Sequence, residues 1–183
     1  MDQLAVTPTE IDVTVKKKFY DMVNASNLGL SSDVVKKYGT VGMMIGVTAY
    51  RHTPIDIQVL VAFYTFCVAM MDDDIISPDD IREFPFRLCD GRPQGHRILT
   101  RFAIQLTSMY DYFVPFGATT IFASTLEFIN GEMLVRDEGG PDEPVIEYAD
   151  YIRSKTGLGQ GYAAFMWPRS MFPSSKTYVQ AFP

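Results

Sequence analysis

The sequence has few of the residues that form disulfides or bind soft metals. Its 183 residues include two cysteines, Cys67 and Cys89, and two histidines, His52 and His96. Two cysteines cannot build a disulfide framework or a cysteine-rich metal site, and they suit a reducing compartment such as the cytoplasm. The histidines have no partners at the spacing of metal ligands, and His52, directly before Thr53-Pro54, fits the start of a helix.

Positive charge is also scarce. The chain has 16 Lys and Arg residues against 22 Asp and Glu residues, a net charge of −6, and its longest basic run is Lys16-Lys17-Lys18. The composition therefore argues against a nucleic-acid partner. No uninterrupted apolar run reaches the length of a transmembrane helix, and the N-terminus has acidic residues where a signal peptide needs a basic start. We expect a soluble, cytoplasmic protein with no membrane span.

Several catalytic signatures are missing as well: there is no P-loop, no Gly-x-Gly-x-x-Gly, and no Ser/His/Asp or Cys/His arrangement. No alternating strand pattern of useful length is present either. Apolar residues instead recur at helical spacing along most of the chain, and this pattern predicts an all-α fold with a single domain over residues 1–183. One helix is predicted over residues 55–76. Within it, residues 59–71 are apolar on nearly every side, as in the central helix of a bundle.

That central helix runs into a cluster of carboxylates, Asp72-Asp73-Asp74, and Asp79-Asp80 follow after a proline. Adjacent anions repel one another, so the cluster is either solvated or holds a cation. Mg²⁺ prefers oxygen ligands and often takes only one or two carboxylates from the protein. Asp72, Asp73 and Asp74 fan over about 200° of a helix, so they cannot all face one cavity.

We therefore predict Asp72 or Asp73 as metal ligands, and whether Asp73, Asp74 or Asp79 joins Asp72 stays open. The alternative is a solvated helix end, with Asp79-Asp80 capping the next turn. Acidic residues at the C-terminal end of a helix oppose its dipole and require compensation, which favours a functional role.

A second polar feature is the segment from Tyr151 to Gly159, where Arg153 precedes a Gly-x-Gly sequence. This pattern predicts a helix that breaks and exposes backbone groups to a cavity. Arg153 could pair with two phosphate oxygens, which Lys cannot do in the same geometry. The alternative for Arg153 is a surface salt bridge.

Asn130-Gly131, which interrupt another apolar helix, are better explained as a kink for packing.

Together these features resemble the fungal sesquiterpene cyclases of the trichodiene synthase-like branch of class I terpene synthases, with longiborneol-type synthases among the possible closer relatives. The match preserves order and spacing over about residues 40–170. Its motifs are Ala49-Tyr50-Arg51-His52-Thr53-Pro54, Ala62-Phe63-Tyr64-Thr65, the Asp cluster, Ser124-Thr125-Leu126-Glu127-Phe128 with Gly131, Tyr151-Ile152-Arg153, Gly157-Leu158-Gly159 and Ala164-Phe165-Met166-Trp167-Pro168.

The resemblance implies a helical bundle around an aromatic-lined pocket that binds farnesyl diphosphate with Mg²⁺ and cyclises it to a sesquiterpene. Arg153 takes the family's diphosphate-sensor position, and Thr156-Gly157 would be the helix break whose carbonyl addresses the substrate. Metals and Arg153 would stabilise the departing diphosphate. Aromatic faces stabilise cations, and the candidates to line the pocket wall are Phe63, Tyr64, Phe66 and Phe128.

The sequence departs from the family's pattern at two places. Ile76 stands where the third acid of the aspartate motif would fall, and no Asn-x-x-x-Ser-x-x-x-Glu motif for a second metal site is present. A helix predicted to begin at Ser174-Ser175 has only a few residues before Pro183. We therefore expect the N-terminal portion of a terpene cyclase, incomplete on its C-terminal side. The alternative is a non-catalytic isoform or remnant that binds prenyl diphosphate or a partner without turnover, and an open apolar side could allow a homodimer.

Overall fold

The computed structural model describes residues 11–139 and 145–176, and these segments are all-α, as predicted. Between those bounds there is no β-strand, only an isolated bridge between Phe113 and Pro168. The helices are α1 (Val13–Ala25), α2 (Ser32–Ala49), α3 (Ile55–Asp72), α4 (Pro78–Cys89), α5 (Arg97–Tyr112), α6 (Pro115–Glu138), α7 (Ile146–Thr156) and α8 (Gly159–Ala164).

The chain divides into two compact units, residues 1–66 and 67–183, and the division falls inside α3. The prediction of one domain over residues 1–183 stays a prediction. The start of another helix near the C-terminus is described only up to residue 176. There the Ser174 hydroxyl accepts a hydrogen bond from the backbone N–H of Lys176, as an N-cap does, and the rest of that predicted helix lies outside the described residues.

The first unit is built on a stripe of glycines along α2. Gly42 and Gly46 lie one turn apart, and a Cβ at Gly46 would stand 2.5 Å from the backbone carbonyl oxygen of Gln58 on α3. A Cβ at Gly42 would overlap the carbonyl oxygen of Ala62. The absence of side chains at these positions lets the two helix backbones approach closely. The glycines therefore form a packing face, and α2 continues without interruption to Ala49.

The second unit is organised around α6, a helix of 24 residues that packs against α4, α5, α7 and α8. Phe113, at the end of α5, stacks edge-on against Phe165, with ring centroids 5.7 Å apart. Arg169 donates hydrogen bonds of 2.6 Å to the carbonyl oxygens of Tyr110 and Asp111, which are left without helical partners at the end of α5. These contacts hold the segment after α8 against the end of α5.

The central helix α3 is buried over most of its length, as its apolar pattern predicts. It is the one described helix that is long and apolar enough to cross a membrane, and most of it is buried inside the protein, as in the core helix of a soluble protein. Its predicted end at Ile76 was wrong, because the helix ends at Asp72.

The next helix, α4, was not predicted. Ser77 caps it by accepting a hydrogen bond from the backbone N–H of Asp80, and Pro78 occupies its first turn.

The two cysteines differ sharply in reactivity in this fold. Cys67 is fully buried, and burial raises the pKa of its thiol, whereas Cys89 is exposed. We expect a maleimide to modify only one thiol in the folded protein and two after denaturation, because the thiolate is the reactive form and Cys67 is both inaccessible and protonated. Mass spectrometry of the labelled protein checks this. Labelling of a Cys89→Ser variant at the rate of the wild type would contradict the burial of Cys67.

Candidate active site

The acidic cluster lies at the C-terminal end of α3, where the chain forms a tight cap. Asp74 has a left-handed backbone with φ +56°, and the N–H of Ile75 donates to the carbonyl oxygen of Met70 across 3.1 Å. This pattern is the Schellman motif, in which glycine usually occupies the left-handed position. Asp tolerates this conformation better than most residues do. The cap ends the helix at Asp72, and the Asp74 carboxylate contacts Arg136.

The compensation that the acidic helix end requires comes from Arg136 on α6. Its Nη2 atom lies 2.7 Å from the carbonyl oxygen of Met71, 3.2 Å from that of Asp72, 3.0 Å from Oδ1 of Asp74 and 3.5 Å from Oε2 of Glu132. Two of these oxygens belong to the last turn of α3 and carry the negative end of its dipole. One guanidinium nitrogen therefore contacts both the helix end and two carboxylates, and its charge offsets part of theirs.

Glu132, one turn before Arg136 on α6, is the fourth carboxylate of this region. Its side chain is only 14% exposed. Burial raises the pKa of the Glu132 carboxyl, the negative charge of Asp72 raises it further, Arg136 lowers it, and Asp74 adds a smaller increase. The electrostatic coupling places Glu132 in the same negative field as Asp72, so α6 adds a carboxylate to the one that the sequence assigned to α3.

The other predicted acids are arranged differently. Asp73 is exposed in the turn after α3. Asp79 is held by Arg82, whose Nη1 lies 2.6 Å from its Oδ1, while Nη2 of the same arginine contacts Asp137. Asp74 pairs with Arg136, whereas the Asp72 carboxylate makes no ion pair with any residue in the described part of the chain. The question of which acid joins Asp72 therefore has a new candidate, Glu132.

The carboxylates of Asp72 and Glu132 suit a Mg²⁺ ion that also takes ligands from water and from the substrate. No group of three or more acidic, histidine or cysteine side chains with the geometry of a metal site occurs among the residues that the structure describes. Mg²⁺ is commonly held by one or two carboxylates together with water and substrate phosphate oxygens, and Asp72 with Glu132 matches that chemistry.

The second predicted region lies on the neighbouring α7, which crosses α6 at Gly131. A Cβ at Gly131 would stand 2.9 Å from Cβ of Lys155 and 2.9 Å from Cγ2 of Thr156. Beside the crossing, Nζ of Lys155 lies 3.0 Å from Oε1 of Glu127, and this hydrogen bond raises the pKa of the lysine. Gly131 was predicted to kink its helix, but α6 runs through it without interruption. The glycine instead lets α7 pack closely against α6.

The predicted helix break is present after Thr156. α7 ends at that residue, Leu158 adopts a left-handed conformation with φ +52°, and α8 begins at Gly159. The Gly157 N–H donates to the carbonyl oxygen of Arg153 across 3.0 Å, and a Cβ at Gly157 would stand 2.7 Å from that same oxygen. Glycine is therefore required for this chain path. The Thr156 hydroxyl donates back to the carbonyl of Ile152, which fixes the last turn of α7.

Arg153 is exposed, and it makes no ion pair with any residue in the described part of the chain. The surface salt bridge that was the alternative explanation for this arginine is made instead by Lys155, two residues later. A guanidinium without a carboxylate partner, next to a helix break, is suited to binding an anion from solution.

The predicted aromatic residues are all buried, three in the first unit and one in the second. In the first unit, Phe66 packs against Phe19 and Phe63, each with ring centroids 5.7 Å apart, and Tyr64 is fully buried as well. In the second unit, Phe128 is 2% exposed and lies on α6 one turn before Glu132. Their role as a pocket wall stays a prediction.

Helix α6 brings the two polar regions of the second unit together. Gly131, which contacts Thr156, and Glu132, which is coupled to Asp72, are consecutive residues. Positions one residue apart lie about 100° apart around a helix whose diameter with side chains is about 10–12 Å. The acidic helix end and the break after α7 therefore flank one turn of α6. Sequence reasoning missed Glu132 and Arg136, although the acidic end of α3 signalled that a cation had to lie nearby.

The fold and this site define an all-α protein with an acidic helix end and a broken helix on either side of one long helix. The family model described as Trichodiene synthase (TRI5) matches residues 15–182. The chain belongs to the trichodiene synthase family, as its motifs predict.

Individual relatives agree with this assignment. The chain is 31% identical over 154 residues to Monoterpene synthase 25 of Postia placenta, covering 81% of this chain and 46% of that protein. It is 34% identical over 148 residues to Terpene synthase 29 of the same fungus, covering 78% and 43%. It is 29% identical over 171 residues to Longiborneol synthase CLM1 of Gibberella zeae, covering 86% and 50%. The chain thus spans about half the length of the curated relatives it matches.

Proposed function

We propose that this chain carries the ionising half of a terpene cyclase that acts on farnesyl diphosphate. The observation that carries the proposal is the arrangement around α6, where Asp72 and Glu132 flank one side of a helical turn and the break after Thr156 flanks the other. Arg153, exposed and without an ion pair among the described residues, supplies a cation beside that break. The carboxylates proposed to share a metal and the arginine proposed to bind phosphate thus belong to elements that meet the same turn of α6.

The proposed reaction begins with cleavage of the bond between the allylic carbon and the diphosphate oxygen. The electron pair of that bond leaves with the oxygen, and the prenyl chain becomes an allylic cation. Arg153 pairs with the departing diphosphate and stabilises its charge. Mg²⁺ held by Asp72, with Glu132 as a second carboxylate, would supply further positive charge to the diphosphate oxygens. A π bond of the chain then attacks the cation, and loss of a proton or addition of water ends the reaction.

Apolar and aromatic walls serve this chemistry because a carbocation must be kept from water until it has cyclised. Phe128, buried on α6 one turn from Glu132, is proposed to line the wall next to the site of ionisation. Aromatic faces attract cations without reacting with them. Phe63, Tyr64 and Phe66 are proposed for the same wall on the evidence of the sequence resemblance alone.

The substrate's chain length is the finer part of the proposal. One relative is named as a monoterpene synthase and another as a longiborneol synthase. Geranyl diphosphate is therefore the competitor to test beside farnesyl diphosphate. Cytoplasmic location and homodimer formation stay predictions from the sequence.

The test is incubation of the full-length protein containing this chain with farnesyl or geranyl diphosphate and Mg²⁺. We expect release of inorganic pyrophosphate and a terpene hydrocarbon or alcohol in gas chromatography, both abolished by EDTA and by Arg153→Gln. Calorimetry in the same buffer separates the alternatives. Binding of the diphosphate without product would favour the non-catalytic binding role, and the absence of both would contradict the proposed function.

A further inference from the structure

The structure assigns Arg136 a positioning role that no motif indicates: it acts as an internal cation that holds the end of α3 so that Asp72 faces the metal and the diphosphate. This inference rests on the proposed function, because it concerns how the proposed ligand Asp72 is presented. Arg136 itself is 16% exposed at its side chain and is not a catalytic residue.

The contacts of Arg136 are those of a bound cation. Four oxygen atoms from α3, its cap and α6 lie within 3.5 Å of the single atom Nη2. An NH₂ group has two hydrogens and cannot donate to all four, so part of the attraction is electrostatic. Two of the acceptors, the carbonyl oxygens of Met71 and Asp72, belong to the backbone. Arg136 therefore fixes the main chain of Asp72 and leaves its carboxylate without an ion pair.

The arrangement is not one that stability alone would select. Nη1 of Arg136 is buried and has no hydrogen-bond partner among the residues that the structure describes. A buried donor left unpaired costs about 1–3 kcal/mol. The left-handed backbone of Asp74 adds a further cost of about 1–2 kcal/mol for a residue other than glycine. Both costs are concentrated at the point where Asp72 must be held, and a glycine cap would have avoided the second.

A positioning role also explains why the acid at the left-handed position is Asp74. Its carboxylate reaches Arg136 at 3.0 Å, which couples the cap of α3 to α6. Glycine in this position would relieve the backbone but would lose the ion pair. The end of α3 is thus tied to α6, the helix that carries Glu132. This link holds Asp72 and Glu132 in fixed positions relative to one another.

The test compares Arg136→Met, Arg136→Lys and Asp74→Asn with the wild type. Hydrogen exchange reports the local order of the amides of residues 73–76, and calorimetry with inorganic pyrophosphate and Mg²⁺ reports the site. Arg82→Met is the matched control, since Arg82 also joins two carboxylates, Asp79 and Asp137, and neither of them belongs to α3 or its cap.

We expect Arg136→Met to speed exchange of those amides at least about tenfold and to weaken pyrophosphate binding at least about tenfold, which is about 1.4 kcal/mol. Arg136→Lys should recover most of both, because an ammonium also satisfies carbonyl and carboxylate oxygens. Asp74→Asn should lie between the wild type and Arg136→Met, because the carbonyl contacts remain. Arg82→Met should change neither measurement.

Faster exchange with unchanged binding, or unchanged exchange in a folded Arg136→Met protein, would overturn the positioning role. If Arg136→Met does not fold, Arg136→Lys and Asp74→Asn decide the matter: wild-type binding and exchange in Asp74→Asn would also overturn it. Failure of the proposed function has a different signature, because the wild type itself would then bind no pyrophosphate in the presence of Mg²⁺.

Discussion

Replacing Gly42 with alanine is expected to destabilise the protein by about 3 kcal/mol, and replacing it with leucine by more. A Cβ at this position would overlap the carbonyl oxygen of Ala62 and stand 3.1 Å from its carbonyl carbon and 3.2 Å from the backbone nitrogen of Phe66. These are backbone atoms inside α3, which cannot move aside as a flexible side chain can. Forcing extra atoms into a packed core costs about 1–3 kcal/mol and sometimes more.

The cost must also overcome a gain, since alanine is better than glycine in a helix by about 1 kcal/mol. Gly117 supplies the matched control, because its Cβ would meet only side-chain atoms at 3.6 Å or beyond in the first turn of α6. We expect Gly117→Ala to change stability by less than about 1 kcal/mol. For a chain of this size a loss of 3 kcal/mol lowers the melting temperature by about 6–12 °C, which circular dichroism resolves. Equal melting temperatures for the two alanine variants would contradict the close contact between α2 and α3.

Periodicity in the sequence was enough to predict the helical fold and the burial of α3, because both follow from where apolar residues recur. The ends of elements were harder to predict. α3 stops at Asp72 rather than Ile76 because Asp74 adopts the left-handed conformation that glycine usually marks, so the usual stop signal was absent. α4 was missed although Ser77-Pro78 is a typical helix start, and the helix that forms there contains Pro85, a residue that disfavours helix interiors.

The candidate site was predictable where it is local in the sequence and not where it depends on contacts between helices. Arg153 and the break at Gly157 could be found because a short motif contains them. Arg136 meets Met71 and Asp72 across 65 and 64 positions, and a single arginine on a helix has no distinguishing pattern. The physical requirement was visible, since an acidic helix end needs a cation, but the sequence did not indicate which one. Gly131 likewise suggested a packing feature in its helix, but the sequence did not show that α7 crosses α6 there.

The largest functional effect is expected from Asp72→Asn, which removes one negative charge and keeps the size of the side chain. We expect Mg²⁺-dependent binding of inorganic pyrophosphate to weaken at least about 100-fold, or about 2.8 kcal/mol, because an amide oxygen is a far weaker ligand for Mg²⁺ than a carboxylate. Asp79→Asn is the control. Asp79 is an acid of the same segment, but it is paired with Arg82, and its loss should leave binding unchanged.

Stability should move in the opposite direction in this variant, which separates a ligand from a structural residue. The Asp72 charge lies at the negative end of the α3 dipole and in the field of Glu132, where it raises the pKa of that carboxyl. Removing the charge relieves both repulsions, so Asp72→Asn is expected to be as stable as the wild type or more stable by up to about 1 kcal/mol. Urea denaturation and calorimetry on the same preparation measure the two quantities. A variant that binds pyrophosphate normally would exclude Asp72 as the metal ligand, and one that loses both stability and binding would show that Asp72 acts through the fold.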